Sequence, residues 1–160
     1  MSKTEEPCGW QIRLGREAEL DDLTALCIRS KAYWGYDAAF MAACREEMTL
    51  RPGDLVDDRL GVAVKDGRAG GMAQVGLEGE IADLVRLYVD PAFMGKGLGR
   101  ALFRWAIEQA GLQGARAMTI EADPSASPFY QHMGAVVVGT APSGSIPGRA
   151  LPLLRYEIAR

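Results

Sequence analysis

Three glycines within five residues, Gly95, Gly97 and Gly99, stand with Lys96 and Arg100 just after the most apolar segment of the chain. Glycine lets a ligand approach the backbone closely. The N–H groups of a helix's first turn are unpaired and carry partial positive charge. Together these features can hold a phosphate. A dinucleotide fingerprint would need glycine at its sixth place, where Arg100 stands, and a phosphate loop of the G-x-x-x-x-G-K-[ST] type lacks both its spacing and its hydroxyl. The plainer reading is a glycine-rich connection that only turns the chain.

The elements around that turn follow from periodicity. Ile81–Val89 reads as the strongest strand and ends at Asp90-Pro91, before a helix over about Gly97–Ala110. Ala117–Ala122 is the next strand, so strand, helix and strand imply a parallel pair. Before it, Leu60–Val64 and Ala69–Leu77 flank the tight turn Lys65-Asp66-Gly67-Arg68 as a hairpin. Earlier still, a short strand at Gln11–Leu14 precedes an amphipathic helix over Glu17–Ala32, and a second helix spans Asp37–Met48. Arg51-Pro52-Gly53-Asp54 reads as a break. A short helix ends near His132, and Ala135–Gly139 and Leu151–Ile158 are the last strands. The expected fold class is α/β (α+β), one domain over residues 10–160 behind a loose tail at 1–9, with a mixed sheet flanked by helices.

Two stretches carry a resemblance. The run Leu84-Val85-Arg86-Leu87-Tyr88-Val89-Asp90-Pro91-Ala92-Phe93-Met94-Gly95-Lys96-Gly97-Leu98-Gly99 resembles motif A of the GNAT acetyltransferases, an apolar strand, a proline and [R/Q]-x-x-G-x-[G/A] opening a helix. Asp123-Pro124-Ser125-Ala126-Ser127-Pro128-Phe129-Tyr130-Gln131-His132-Met133-Gly134 looks like the same family's N-x-x-A-x-x-F-Y-x-x-x-G. Met94 departs from the usual Arg or Gln, and Asp123 from the usual Asn. The resemblance implies a mostly antiparallel sheet whose parallel central pair splays around acetyl-CoA, with helices on both faces. It also implies transfer of an acetyl group to an amine.

On that resemblance the cofactor lies against Leu87, Tyr88, Val89, Met94, Gly95, Lys96, Gly97, Leu98, Gly99, Arg100, Asp123, Ser127 and Tyr130. The family's β-bulge at Leu87–Val89 would aim a backbone N–H, that of Val89, at the oxyanion. Tyr130 is the expected general acid, because a phenol near 10 can protonate a thiolate whose acid is near 8.5. Asp83 falls on the position of the family's catalytic glutamate; a water chain, Glu121, or a merely solvated Asp83 are the alternatives. Tyr33, Trp34 and Tyr36 stand where the family builds its acceptor wall, or else plug the core. Arg86 and Arg149 are candidates to bind an acceptor carboxylate, as in an amino-acid-like amine; Arg149 pairing with a surface carboxylate is the plainer reading. No cysteine matches a nucleophile position, which favours direct attack in a ternary complex.

Composition limits the rest. The chain of 160 residues has a formal net charge of −3, with no basic stripe for nucleic acid or an anionic membrane. Three cysteines without CxxC spacing indicate neither a disulfide framework nor a zinc site, and no apolar stretch approaches a membrane span. A cytoplasmic protein is expected, with acetyl-CoA as cofactor, no metal, an amine acceptor and a homodimer as partners. The competing reading is a non-catalytic acyl-CoA-binding sensor with the same fold.

Overall fold

The computed structural model describes residues 9–158, so the expected tail, apart from Gly9, lies outside the described residues, as does Cys8. Seven strands form one sheet in the order β1-β2-β3-β4-β5-β7-β6. They are β1 (Gln11–Leu14), β2 (Arg59–Lys65), β3 (Arg68–Glu78), β4 (Ile81–Val89), β5 (Ala117–Glu121), β6 (Val136–Pro142) and β7 (Ala150–Glu157). All neighbours pair antiparallel except β4 and β5, as expected for two strands joined through a helix.

Helices cover both faces. α1 (Leu20–Ala32), α2 (Ala38–Met48) and the short α3 (Pro52–Asp57) lie on one side; α4 (Leu98–Leu112) and α5 (Ser127–His132) lie on the other. α1 buries Leu20, Leu23, Leu26, Cys27 and Ser30, the stripe read from its spacing. α2 starts where Asp37 accepts the Phe40 N–H at 2.8 Å, an N-cap bond. α4 packs Leu102, Phe103, Trp105 and Ala106 onto Ala63, Ala73, Leu84 and Met118. Gly61 makes that close approach feasible, since a Cβ there would meet the Trp105 ring at 2.7 Å.

The expected break at Arg51–Asp54 is corrected by the structure: it is the start of α3. Pro52 occupies the first turn, where its missing N–H costs nothing, and the Asp54 carboxylate accepts the Arg51 N–H at 2.7 Å.

Candidate active site

The sheet parts in the middle. β4 pairs with β5 only at Ile81↔Ala117, Ala82↔Met118 and Asp83↔Thr119, and from Leu84 onward the strands separate. A cleft of about 450 Å³ opens between them, lined by Leu84–Val89 on one side and Ile120–Asp123 on the other. The start of α4 (Met94, Gly95, Gly97, Leu98, Gly99, Arg100) closes one end; Lys31, Trp34, Ser143 and Arg149 stand at the other.

A β-bulge sets what β4 shows to this opening. Gln74 faces Arg86 while the next residue, Val75, faces Leu84, so Val85 is the extra residue. The bulge thus lies earlier than the Leu87–Val89 position expected from the family. One extra residue shifts a period-2 pattern by one. Ala82 and Leu84 before it, and Leu87 and Val89 after it, all face α4, whereas Asp83, Arg86 and Tyr88 take the opposite face. The bulge is therefore what keeps both halves of the strand apolar toward one core. The Asp90 N–H bonds Gly70 O at 2.8 Å on the β3 side. By alternation Tyr88 and Arg86 also turn their backbone groups to β3, while those of Leu87 and Val89 turn to the cleft. Of the three backbones expected to contact a ligand, that of Tyr88 is thereby committed to the sheet.

The glycine turn is held from outside. Asp90 is buried, accepts Arg29 at 2.7 Å and the Ala92 N–H at 3.0 Å, and so caps a 3₁₀ turn at Pro91–Phe93. Burial works to raise its carboxyl, but those two donors outweigh it and hold it below its ordinary value. Gly95 and Gly97 have φ of +77° and +83°, the left-handed region where a Cβ is strained. Gly97 is the N-cap of α4, and its carbonyl accepts the Ala101 N–H at 3.1 Å. The N–H groups from Gly95 to Arg100 find no acceptor among the described residues. Phe129 covers Gly99, whose added Cβ would stand 3.5 Å from the ring.

Tyr130 lines the cleft from α5 and is only 6% exposed. Phe129 and Phe103 grip its ring at centroid distances of 5.1 and 5.8 Å. Burial pushes its phenol well above the ordinary value, and its hydroxyl has no hydrogen-bond partner among the described residues. A protonated donor is thus aimed into the opening.

At the other end Asp123 gathers three segments. Its carboxylate accepts the Tyr36 hydroxyl at 2.7 Å and the Ser125 N–H at 2.8 Å, and lies 3.4 Å from Lys31 and 3.7 Å from Arg149. Burial opposes ionisation, yet these donors outweigh it and hold the carboxyl below its usual range. Tyr36 also accepts from Arg149 at 3.1 Å and stacks on Phe40 at 4.0 Å. The connection after α1, the turn after β5 and the β6–β7 loop are clasped together. Sequence reasoning missed Lys31, a basic residue on an otherwise apolar stripe of α1, which is the signal that marks it.

Other expected site residues fall differently. Arg86 is on the cleft wall but spends its guanidinium on the Glu47 carbonyl (2.7 Å), Gln74 (2.6 Å) and Asp54 (3.4 Å), pinning β4 to α2 and α3 rather than standing free as a clamp. Arg149 lines the cleft and has Tyr36 and Asp123 as partners, the latter a partly buried carboxylate of the cleft rather than one of the open surface. Ser127 is buried and Ser125 reaches the cleft instead; Lys96, Tyr33 and Asp83 do not line it. Trp34 does, half-exposed. Glu121 lines the cleft and makes no ion pair among the described residues. Asp83 keeps solvent contact, yet desolvation and then the Glu121 and Asp58 carboxylates raise its carboxyl above the ordinary value. The Cys27 thiol, sealed in the core, is pushed up to about 12 by burial, which removes it as a nucleophile. No cluster of metal-ligating residues occurs among the described residues, and none of their helices is long and apolar enough to cross a membrane.

Residues 57–134, which contain both sequence motifs, match the family model of the acetyltransferase (GNAT) domain. The match to the GNAT domain spans just under half of the chain. Solved GNAT structures share its fold. The PaiA N-acetyltransferase of Thermoplasma acidophilum, solved with coenzyme A, has a TM-score of 0.75 at 19% identity, covering 92% of this chain and 98% of that one. A GCN5-related N-acetyltransferase of Rhodopseudomonas palustris gives 0.76 at 22%, covering 98% of each chain. YncA of Salmonella typhimurium, solved with its cofactor acetyl-CoA, gives 0.65 at 23%, covering 100% of this chain and 96% of that one. No curated protein matches the chain. The split sheet, the glycine turn and the buried tyrosine thus stand in a chain whose fold is that of solved GNAT proteins.

Proposed function

We propose that the chain is an acetyl-CoA-dependent N-acetyltransferase that acts by direct attack of a primary amine on the bound thioester. The observation that carries this reading is the parting of β4 from β5, which turns the backbone of Leu87 and Val89 toward a cleft running from the glycine turn to Tyr130. Similar proteins were solved with coenzyme A and with acetyl-CoA bound.

The free N–H groups from Gly95 to Arg100, with Arg100 beside them, suit the pyrophosphate. The cleft-facing backbone groups of Leu87 and Val89 would hold the acyl arm, and the Val89 N–H would serve as a donor to the developing oxyanion. A neutral amine attacks the carbonyl from the side of Trp34 and Glu121; its proton passes to a base, for which Glu121 is the carboxylate on the cleft wall. As the C–S bond breaks, Tyr130 gives its proton to the departing thiolate. Burial keeps that phenol protonated, and the same dry surroundings raise the basicity of the thiolate it serves.

The test is thiol release from acetyl-CoA with a panel of amines, together with Tyr130→Phe. Removing the acid lowers turnover by roughly 10²–10⁴-fold with acetyl-CoA affinity retained. Full turnover in the variant reduces Tyr130 to a packing residue. Acetyl-CoA binding with no amine acetylated would leave the sensor reading in its place.

A further inference from the structure

One polar side chain is sealed into the sheet face beneath α1, α2 and α3. Gln74 of β3 is wholly buried, on the same face as Met72. A buried amide is costly unless its polar atoms are paired, and Gln74 uses both ends. Its Nε2 donates to Asp54 at 3.0 Å and to Asp58 at 2.7 Å, and its Oε1 accepts from Arg86 at 2.6 Å. Arg86 in turn donates to the Glu47 carbonyl in the last turn of α2, one of those that a helix end leaves unpaired. One network thus ties the end of α2 and the first turn of α3 to β4. Arg86 and Glu47 line the cleft; Gln74 does not.

The network meets β4 at its bulge. Gln74 lies directly opposite Arg86, the residue after the extra Val85, while Val75 lies opposite Leu84. A strand without the bulge would continue from Leu84 with Val85 opposite Gln74 and Arg86 opposite Ala73. Arg86 would then turn into the apolar packing under α4, away from all its acceptors. A buried charge without partners is strongly disfavoured. The network therefore selects the bulged register over the regular one. Backbone groups alternate along a strand as side chains do. The same one-residue shift would turn the backbone of Leu87 and Val89 to β3, away from the cleft.

We propose that Gln74 is a positioning residue for acetyl transfer: by holding Arg86 it keeps the bulge at Val85, and the bulge presents the Leu87 and Val89 backbone to the cleft. This deepens the acetyltransferase reading and rests on it. Gln74 touches no reactant and acts through strand register. An amide suits this place because it accepts from Arg86 while donating to two aspartates.

The experiment compares Gln74→Met and Gln74→Glu in the full chain. The first keeps the side-chain length and removes its bonds. The second still accepts from Arg86 but sets a like charge against Asp54 and Asp58. A purely structural role orders activity by stability, whereas positioning orders it by whether Arg86 keeps its acceptor. Gln74→Met should lose kcat by about 10²-fold, the effect of a misplaced reacting geometry, with acetyl-CoA affinity little changed. Gln74→Glu should keep most of kcat despite a lower Tm. Nuclear Overhauser contacts between β3 and β4 read the register without turnover. The parent and Gln74→Glu should keep Arg86 opposite position 74, and Gln74→Met should gain a population with Val85 there. Parental kcat in a folded Gln74→Met, activity that follows stability across the two variants, or a fall in kcat with the register intact each overturns the proposal. Should Gln74→Met not fold, Gln74→Asn takes its place, its amide one carbon short, with the same outcomes at smaller size. A parent that transfers no acetyl group sinks the acetyltransferase reading instead, and the register contacts then still decide whether Gln74 sets the bulge.

Discussion

Tyr36→Phe removes one oxygen from the clasp and little else. The ring stays stacked on Phe40 at 4.0 Å, so what is lost is a bond donated to Asp123 at 2.7 Å and one accepted from Arg149 at 3.1 Å. Hydrogen bonds to charged partners contribute about 1.5–3 kcal/mol. Tyr36 is half-buried and water can replace part of each bond, so a loss of about 1–2 kcal/mol is expected. For a chain of this length that lowers Tm by roughly 3–6 °C. On the proposed function, with the amine entering from the side of Trp34, acceptor KM should rise while acetyl-CoA affinity holds. A double-mutant cycle with Asp123→Asn, read by urea melts, should give a coupling of about 1 kcal/mol. Additive effects, or a variant that melts with the parent, would show that the three segments are not held by this oxygen.

Gly97→Ala places a Cβ at φ +83° and should cost about 1–2 kcal/mol, seen in thermal melts; Gly97→Val should cost more and also lose stabilisation by acetyl-CoA. An unchanged Tm in the alanine variant would contradict the left-handed N-cap. Asp123 carries a pH signature. Its folded-state carboxyl is held low, so its contribution is complete above the unfolded value near 4 and is lost as pH falls through the folded value. Asp123→Asn should therefore be destabilising at neutral pH and converge toward the parent in strong acid, as urea midpoints at about pH 7 and pH 3 would show; an equal gap at both would exclude a charge effect.

Much of the fold was legible because apolar periodicity and turn chemistry agreed. Ile81–Val89 and the buried stripe of α1 came directly from spacing. α3 did not, since proline and glycine read as breakers although proline also starts helices. The bulge left a trace that alternation alone can find: Asp83 and Arg86, both polar and on one face, stand three apart in a strand whose period is two. The glycine turn and Tyr130 were legible as candidates because local spacing encodes them, and both line the cleft. The clasp was not, because Tyr36, Asp123 and Arg149 meet only through the tertiary fold, across 87 and 113 positions of chain. Nor does residue type alone tell that Arg86, on the cleft wall, is bonded to Gln74, Asp54 and the Glu47 carbonyl.

The separation of β4 from β5 also has a dynamic signature. Within one strand the amides of Arg86 and Tyr88 are locked into the ladder with β3, while those of Leu87 and Val89 face open water. Amide hydrogen exchange along β4 should therefore alternate, slow then fast from one residue to the next, in the middle of the sheet where uniform protection is the rule. A bound molecule with amide groups of its own would supply the missing rungs and slow the fast set alone, so that the exchange pattern of a single strand reports whether the opening is filled.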